Sequence, residues 1–280
     1  MIFQLNANGR LLTASQPVVM GILNVTPDSF YTRGRENTPE DHLRKAEKML
    51  AEGAGILDIG GMSTRPRADV ISPEEEIARV TPVIGLIRRH FPETFISIDT
   101  YRAAVARAAV EAGADIVNDI SAGNLDAGML TTVAALKAPY ILMHMQGTPA
   151  DMQQHPHYKD VVADILDFFL DKIHRCREAG INDIILDPGF GFGKTQTHNF
   201  QLLKGMHAFA LTGLPVLAGL SRKSMVYRLL QSSAEEALNG TTALHMLALQ
   251  QGAAILRVHD VREAVECVKL YHFYQTIQEI

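Results

Sequence analysis

Eight short apolar runs, each followed by a stretch of helical period, recur along the chain without interruption, and this repeat constrains the fold more than any other feature. The runs are VVMGILNV (18–25), GILDIGG (55–61), FISIDT (95–100), DIVNDI (115–120), YILMHM (140–145), DIILDP (183–188), PVLAGLS (215–221) and ILRVHD (255–260). Between them lie amphipathic segments such as DHLRKAEKMLAEGA (41–54), RAAVARAAVEAGA (102–114) and VVADILDFFLDKIHRCREAG (161–180), several ending in Gly or Gly-Ala as a helix C-cap does. Strand and helix alternating in this way build a parallel sheet. Eight such units with no Pro/Gly/Ser-rich linker between them favour a closed (β/α)8 TIM barrel over an open doubly wound sheet. The whole chain, 1–280, therefore reads as one domain. Residues 1–16 read as an N-terminal β-hairpin turning at Asn8-Gly9 and closing the bottom of the barrel.

Composition narrows the function classes. With 47% hydrophobic and 20% charged residues in 280, the chain can bury a large core, and disorder is not expected. A net charge of −5 with no Lys/Arg run argues against a nucleic-acid surface. Neither Cys176 nor Cys267 has a Cys or His neighbour at metal-ligand spacing, so both are expected to pack on helices. MIFQLNANGR has no export-signal pattern and no apolar run reaches about 18 residues, so the expected setting is cytoplasmic.

In a barrel of this type chemistry gathers at the C-terminal ends of the strands. Those ends carry Asn24, Asp58, Asp99, Asn118, His144, Asp187, Ser221 with Arg222 and Lys223, and Arg257 with His259. An Asp or Asn after a strand often only caps the next helix. Eight polar ends in register are better explained by one convergent site. Asp, Asn and Lys suit a flat heterocycle with an amide-like edge, because a carboxylate accepts two N–H bonds, Asn donates and accepts, and Lys donates to a carbonyl. Arg257, His259 and Asn24 suit an anion, with oxygen ligands available to a hard cation. No nucleophile is evident: GLSRKS lacks the G-x-S-x-G elbow, and Ser221 reads as a turn or hydrogen-bonding residue.

The stretch ILDPGFGFGKT (185–195) superficially resembles a phosphate-binding loop. Pro188 stands where that loop needs a glycine N–H, and 196–199 reads as further loop rather than an immediate helix. The better reading is a pocket rim: Gly189, Gly191 and Gly193 let backbone approach a ligand, while Phe190 and Phe192 supply flat walls. The irregular MQGTPADMQQHPHY after the fifth strand has the length of a loop that serves a site.

Five strings in order, NVTPDSF (24–30), STRP (63–66), DPGFGFGK (187–194), SRKS (221–224) and RVHDV (257–261), resemble the dihydropteroate synthase family of pterin-binding barrels from Val18 onward. The resemblance implies condensation of a dihydropterin methyl diphosphate with 4-aminobenzoate to give dihydropteroate and pyrophosphate. It implies that Asp99, Asn118, Asp187 and Lys223 hold the pterin. Arg257, His259 and Asn24 would bind diphosphate and Mg²⁺, Asn24 being the metal ligand, with Asp58 beneath them. The aminobenzoate would lie against Pro66, Phe192 and the Lys223-Ser224 turn, with Thr64 and Arg65 on a mobile loop. Asp99, Lys223, Arg257 and His259 would carry the catalysis, and a homodimer would form through outer helices near the C-terminal end of the chain.

The chain departs from the family pattern at Tyr31–Gly34, Met62, Arg67 and Tyr101-Arg102, all around the mouth. These positions bear on how the first loops close over the amine. Two other functions share part of the pattern: a folate-dependent methyltransferase barrel, and a pterin-binding homologue without turnover. Of the remaining polar residues, His155 and His157 read as surface histidines, His144 as satisfying a backbone group, Lys194 as a solvated loop lysine, and His198 and Asn199 as a helix start.

Overall fold

The computed structural model describes residues 2–26, 38–62, 71–148, 152, 154 and 156–277. Strands β1 (Phe3–Ala7) and β2 (Arg10–Ala14) pair antiparallel. The turn between them has Asn8 at φ 49° and Gly9 at φ 94°, the two left-handed positions that a two-residue hairpin loop of right-handed twist demands. Asn tolerates the first and Gly takes the second without strain.

Strands β3 (Val18–Asn24), β4 (Ile56–Gly60), β5 (Phe95–Asp99), β6 (Ile116–Asp119), β7 (Tyr140–Met143), β8 (Ile184–Asp187), β9 (Val216–Ala218) and β10 (Ala253–Val258) close in the order β10-β3-β4-β5-β6-β7-β8-β9, every pairing parallel. Helices α1 (Pro39–Ala51), α2 (Pro73–His90), α3 (Ala103–Glu111), α4 (Met129–Leu136), α5 (Val161–Glu178), α6 (Gln196–Gly205), α7 (Ser224–Tyr227), α8 (Leu238–Gln250) and α9 (Val261–Thr276) connect them. The architecture is the eight-stranded barrel with an N-terminal hairpin that the repeat predicts. Cys176 and Cys267 are buried on α5 and α9. Among the described residues no helix is long and apolar enough to cross a membrane.

What positions the site is the alternation of side chains along each strand. Met20, Ile56, Ile116, Ile141, Ile185, Leu217 and Ile255 form one buried cluster inside the barrel, and Phe3, Leu5 and Ala14 of the hairpin belong to it. Their strand neighbours, such as Leu57, Ile96, Leu142, Leu186 and Leu256, belong instead to the larger cluster with Phe169 and Phe209 under the helices. Two residues beyond the interior isoleucines the chain reaches Asp58, Asn118, Met143, Asp187 and Arg257. At all of these positions but Met143 the barrel interior therefore changes from apolar to polar within one pleat.

The hairpin is tied to the apolar end by polar bonds as well as packing. Asn6 N donates to Asp183 Oδ1 at 2.9 Å and Asn8 N to the Lys137 carbonyl at 3.2 Å. Arg10 and Arg88 pair with opposite oxygens of Asp115, which also accepts from Ile96 N.

Candidate active site

Strand register assembles the polar end. Asn24 pairs with Gly60, Gly60 with Asp99, and Asp99 with Asn118, so residues from four strands share one level. Gly60 leaves the room between them: a Cβ there would meet Asn24 Oδ1 at 3.4 Å and Asp99 Cβ at 3.7 Å. From β10, the neighbour of β3, Arg257 donates from Nε to Asp58 Oδ2 at 2.6 Å and from Nη2 to Asp99 Oδ2 at 2.6 Å. Asn118 Nδ2 reaches the same Asp58 carboxylate at 3.2 Å. Asp58 is wholly buried and spends its oxygens on these two neighbours, holding Arg257 and Asn118 in place.

The electrostatics follow from crowding charges in a small, poorly hydrated volume. Burial works against the Arg257 charge, but the Asp58 and Asp99 carboxylates outweigh it and raise its proton affinity. Burial lifts the Asp99 carboxyl up to about 7 against the opposing pull of Arg257. Its second oxygen, Oδ1, is buried without a hydrogen-bond partner among the described residues. An uncommitted acceptor of this kind is costly unless something donates to it.

Asp187 ends β8 and accepts from Gly189 N at 2.8 Å; burial raises its proton affinity and Lys223 opposes the shift. Burial brings Lys223 down to about 8, with Asp187 pulling the other way. Lys223 runs between two glycines, its Cδ 3.4 Å from a Cβ at Gly191 and its Nζ 3.6 Å from one at Gly219. Its ammonium donates to the Phe190 carbonyl and sits 4.9 Å from the centre of the Phe192 ring. Ser224 opens α7 directly after it.

Ser221 Oγ accepts from His259 N at 3.1 Å and lies 3.0 Å from His259 Nδ1, which fixes the ring. With the hydroxyl proton on that bond, Nε2 is left as an N–H donor. This is the hydrogen-bonding part expected of Ser221. Arg222, at φ 53°, makes a two-pronged bond to Asp260, 2.8 Å on each side, and so joins the turn before α7 to the end of β10. The partnership of Arg222 with Asp260 was not legible beforehand, since only the fold brings 222 and 260 together.

The structure thus brings Asn24, Asp58, Asp99, Asn118, Asp187, Phe192, Lys223, Ser224, Arg257 and His259 to the polar end of the barrel. Thr64, Arg65 and Pro66 lie outside the described residues, as do Tyr31–Gly34, Arg67 and His155. Met62 is described, and Tyr101 Oη stands 4.0 Å from its sulfur. Neighbouring Arg102 binds Glu76 Oε2 at 2.8 Å and the Ile71 carbonyl at 2.7 Å.

Three expectations are corrected. Lys194 is not solvated but 3% exposed, with its ammonium on His144 Nδ1 at 3.0 Å, Gly189 O at 2.9 Å and Phe192 O at 3.0 Å. His144 accordingly serves a lysine side chain, and burial together with Lys194 lowers its proton affinity to about 2, so the ring is neutral. Residues 196–199 are helix, not loop: Thr195 caps α6 by accepting from His198 N, while Thr195 N donates to His198 Nδ1. A capping box normally carries Glu or Gln at that third position, and His concealed it. His198 and Asn199 do lie in the first turn of a helix, and His157 is exposed as expected.

A closed barrel with a buried carboxylate, amide and ammonium set at one end defines an enzyme class that grips a flat, polar-edged ring. Comparison with known proteins agrees. Residues 20–259 match the family described as pterin binding enzyme. The chain is 45% identical over 270 residues to dihydropteroate synthase of Haemophilus influenzae, covering 96% of this chain and 98% of that one. It is 46% identical over 269 residues to dihydropteroate synthase of Escherichia coli K12, 95% of each chain. Among solved structures, Xanthomonas albilineans dihydropteroate synthase with 4-aminobenzoic acid superposes at TM-score 0.92 with 43% identity, over 98% of this chain and 99% of that one. The same enzyme with 7,8-dihydropteroate superposes at 0.89 with 40% identity, over 98% and 100%. The chain belongs to the dihydropteroate synthase family.

Proposed function

We propose a division of labour among these residues for the reaction of the family, condensation of (7,8-dihydropterin-6-yl)methyl diphosphate with 4-aminobenzoate to 7,8-dihydropteroate and pyrophosphate. The observation that carries it is the single Arg257 guanidinium bridging Asp58 and Asp99 beside Asn118, Asp187 and Lys223. The pterin edge bonds to Asp187 and Asn118, and Lys223 donates to its carbonyl oxygen. Asp99 offers Oδ1 to a ring N–H. Arg257 and the Nε2–H of His259 face the diphosphate, and the 4-aminobenzoate ring lies against Phe192 near Ser224, with Thr64, Arg65 and Pro66 completing its site.

The chemistry is a displacement at the exocyclic methylene. The C–O bond breaks with its electron pair leaving on pyrophosphate, the positive charge spreads into the pterin, the amine nitrogen bonds to the methylene, and the amine proton passes to solvent. Asp99, ionised, favours the cationic ring, while Arg257 and His259 stabilise the leaving anion as its charge develops. An aromatic amine is unprotonated near pH 7, so positioning rather than a strong base is what the protein must supply.

Mg²⁺, when bound with the diphosphate, supplies further charge neutralisation to the leaving group. Asn24 provides the amide oxygen that such an ion would use. Among the described residues no group of three or more His, Cys, Asp or Glu forms a cage. One protein oxygen with water and substrate phosphate completing the shell is the usual mode for this cation.

We also place the protein in the cytoplasm as a homodimer. Leu270, Phe273, Tyr274 and Ile277 leave a large apolar surface at the end of α9, in keeping with a covered face. Pyrophosphate release is the deciding assay: it is expected to require Mg²⁺ and both substrates. Pterin binding without release would identify a non-catalytic homologue, and methyl transfer from a folate would identify a methyltransferase.

A further inference from the structure

The loop after β8 is unusual in what satisfies its backbone. Gly189, Gly191 and Gly193 have φ of 68°, 84° and 62°, which turns successive carbonyls to different sides. The loop is pressed onto the segment after β7: a Cβ at Gly189 would lie 2.0 Å from the His144 carbonyl oxygen, and one at Gly193 2.4 Å from that of Gln146. No water fits at such contacts, so each buried carbonyl there needs a protein donor.

Lys194 and Lys223 share that task with Phe192 N, which donates to the Gly189 carbonyl at 3.1 Å, and Tyr158 Oη, which donates to that of Gly193 at 2.8 Å. The Lys194 ammonium, buried beneath the loop, takes the carbonyls of Gly189 and Phe192, and Lys223 takes the carbonyl of Phe190 from the site above. Asn199 completes the frame, accepting from Gly191 N at 2.7 Å and donating to the Thr195 carbonyl at 2.7 Å. The His144 ring at 3.0 Å is the third close acceptor and the His144 carbonyl, at 3.4 Å, a weaker fourth, while the charged groups nearest the ammonium are Asp187 and Lys223. Desolvation weakens its hold on the third proton, and the nearby Asp187 charge counteracts this.

We propose that Lys194 is a positioning residue for the reaction: seated between the His144 ring and the carbonyls of Gly189 and Phe192, it holds the loop that presents the Phe190 carbonyl and Phe192 ring to Lys223. It touches no substrate. Its effect reaches the site through where Lys223 points and where the Phe192 wall stands. The proposal rests on Lys223 being a pterin ligand, as assigned above.

Lys194→Met, which keeps the length and loses the charge, tests it. Calorimetry with a pterin diphosphate analogue is expected to give affinity weakened about 10- to 100-fold, with a lower kcat and a higher KM for 4-aminobenzoate, the size of effect that a misplacement near 1 Å causes. The thermal midpoint falls too, so all assays are run well below it. His144→Asn, which keeps an acceptor near Nδ1, is expected to stay within about threefold of wild type, whereas His144→Leu follows Lys194→Met. Lys194→Met binding and turning over within about twofold of wild type while folded would overturn the proposal, since a purely structural lysine would leave affinity and both kinetic constants in place. If Lys194→Met does not fold, the histidine pair decides, and equal behaviour of His144→Leu and His144→Asn overturns it. Lys223→Ala run alongside separates the two claims: retained pterin affinity there refutes the site assignment itself, while loss there with no effect at Lys194 refutes the positioning role alone.

Discussion

The two ends of the barrel are built from the same strands and do opposite things. At the N-terminal end Ile56, Ile116, Ile141, Ile185 and Ile255 meet Phe3 and Leu5 of the hairpin in a dry, tightly filled cluster. Two residues further along four of those strands the inward positions are Asp58, Asn118, Asp187 and Arg257. Burying the Asp99, Asp187 and Lys223 charges there opposes folding, as the raised Asp99 and Asp187 and lowered Lys223 proton affinities indicate, whereas the carboxylates beside Arg257 favour its charge. The apolar end thus supplies stability for a polar end held in an arrangement it would not choose by itself.

The strongest way to break that picture is to remove a charge from the polar end. Lys223→Ala or Asp187→Ala is expected to weaken pterin-analogue binding by about 1000-fold or more, ~4 kcal/mol in calorimetry. The thermal midpoint should fall only modestly, because each substitution removes one desolvated charge but leaves its partner unpaired. A large drop in midpoint with affinity intact would invert the roles of the two ends.

The converse substitution is Phe3→Ala. Truncating this buried hairpin ring is expected to cost about 3–5 kcal/mol in denaturant unfolding. Values of kcat and KM measured well below the new midpoint should stay near wild type. A change in KM would show that the ends are coupled.

Proton linkage sharpens the contrast. With Asp99 up to about 7 and Lys223 down to about 8, the form with Asp99 ionised and Lys223 protonated is most abundant between those values. The kcat/KM for the pterin substrate is therefore expected to be bell-shaped with limbs near them, and Asp99→Asn should remove the acidic limb. The raised Asp99 group favours the folded state below the ordinary carboxylate range, and that contribution is lost as pH rises through about 7. The depressed Lys223 group favours it above the ordinary lysine range, and that contribution is lost as pH falls through about 8. Both losses are in force between 7 and 8. Urea midpoints at several pH values should show Asp99→Asn gaining on wild type from pH 5 to pH 7.5, and no such gain would show that Asp99 is not strained.

The smallest effect is expected at the mouth. Met62→Glu places a carboxylate beside Tyr101 and within reach of the region held by Arg102. Steady-state kinetics should show a change of about two- to fivefold in KM for 4-aminobenzoate with kcat almost unmoved, the sign of uniform binding. Equal saturation curves would remove this departure from the list of residues that tune the amine site.

Much of this arrangement was legible beforehand. Asn8-Gly9 announced the hairpin because few dipeptides accept two left-handed residues in succession. The strand-end residues announced the site because in a parallel barrel one end collects them all. The places of Lys194 and His144 are not legible in the sequence for a physical reason: whether a lysine is solvated depends on which carbonyls are left needing a donor, and that depends on the path of a glycine loop. That the helix of His198 and Asn199 already begins at Gln196 is hidden in the sequence because a histidine stands at a capping position that usually signals itself with Glu or Gln.

By itself the order of residues determined the eight-fold alternation, the hairpin turn, and the two-residue period along each strand that sorts side chains into helix-facing and interior sets. These are local matters of backbone geometry and repeat. Only the closed tertiary structure decided that Arg257 would bridge Asp58 and Asp99, that Arg222 would lock onto Asp260, and that Lys194 would be buried under the loop that Lys223 holds from above. Such pairings join residues far apart in the chain, and their energies depend on register, burial and the absence of water, none of which exists until the barrel has closed.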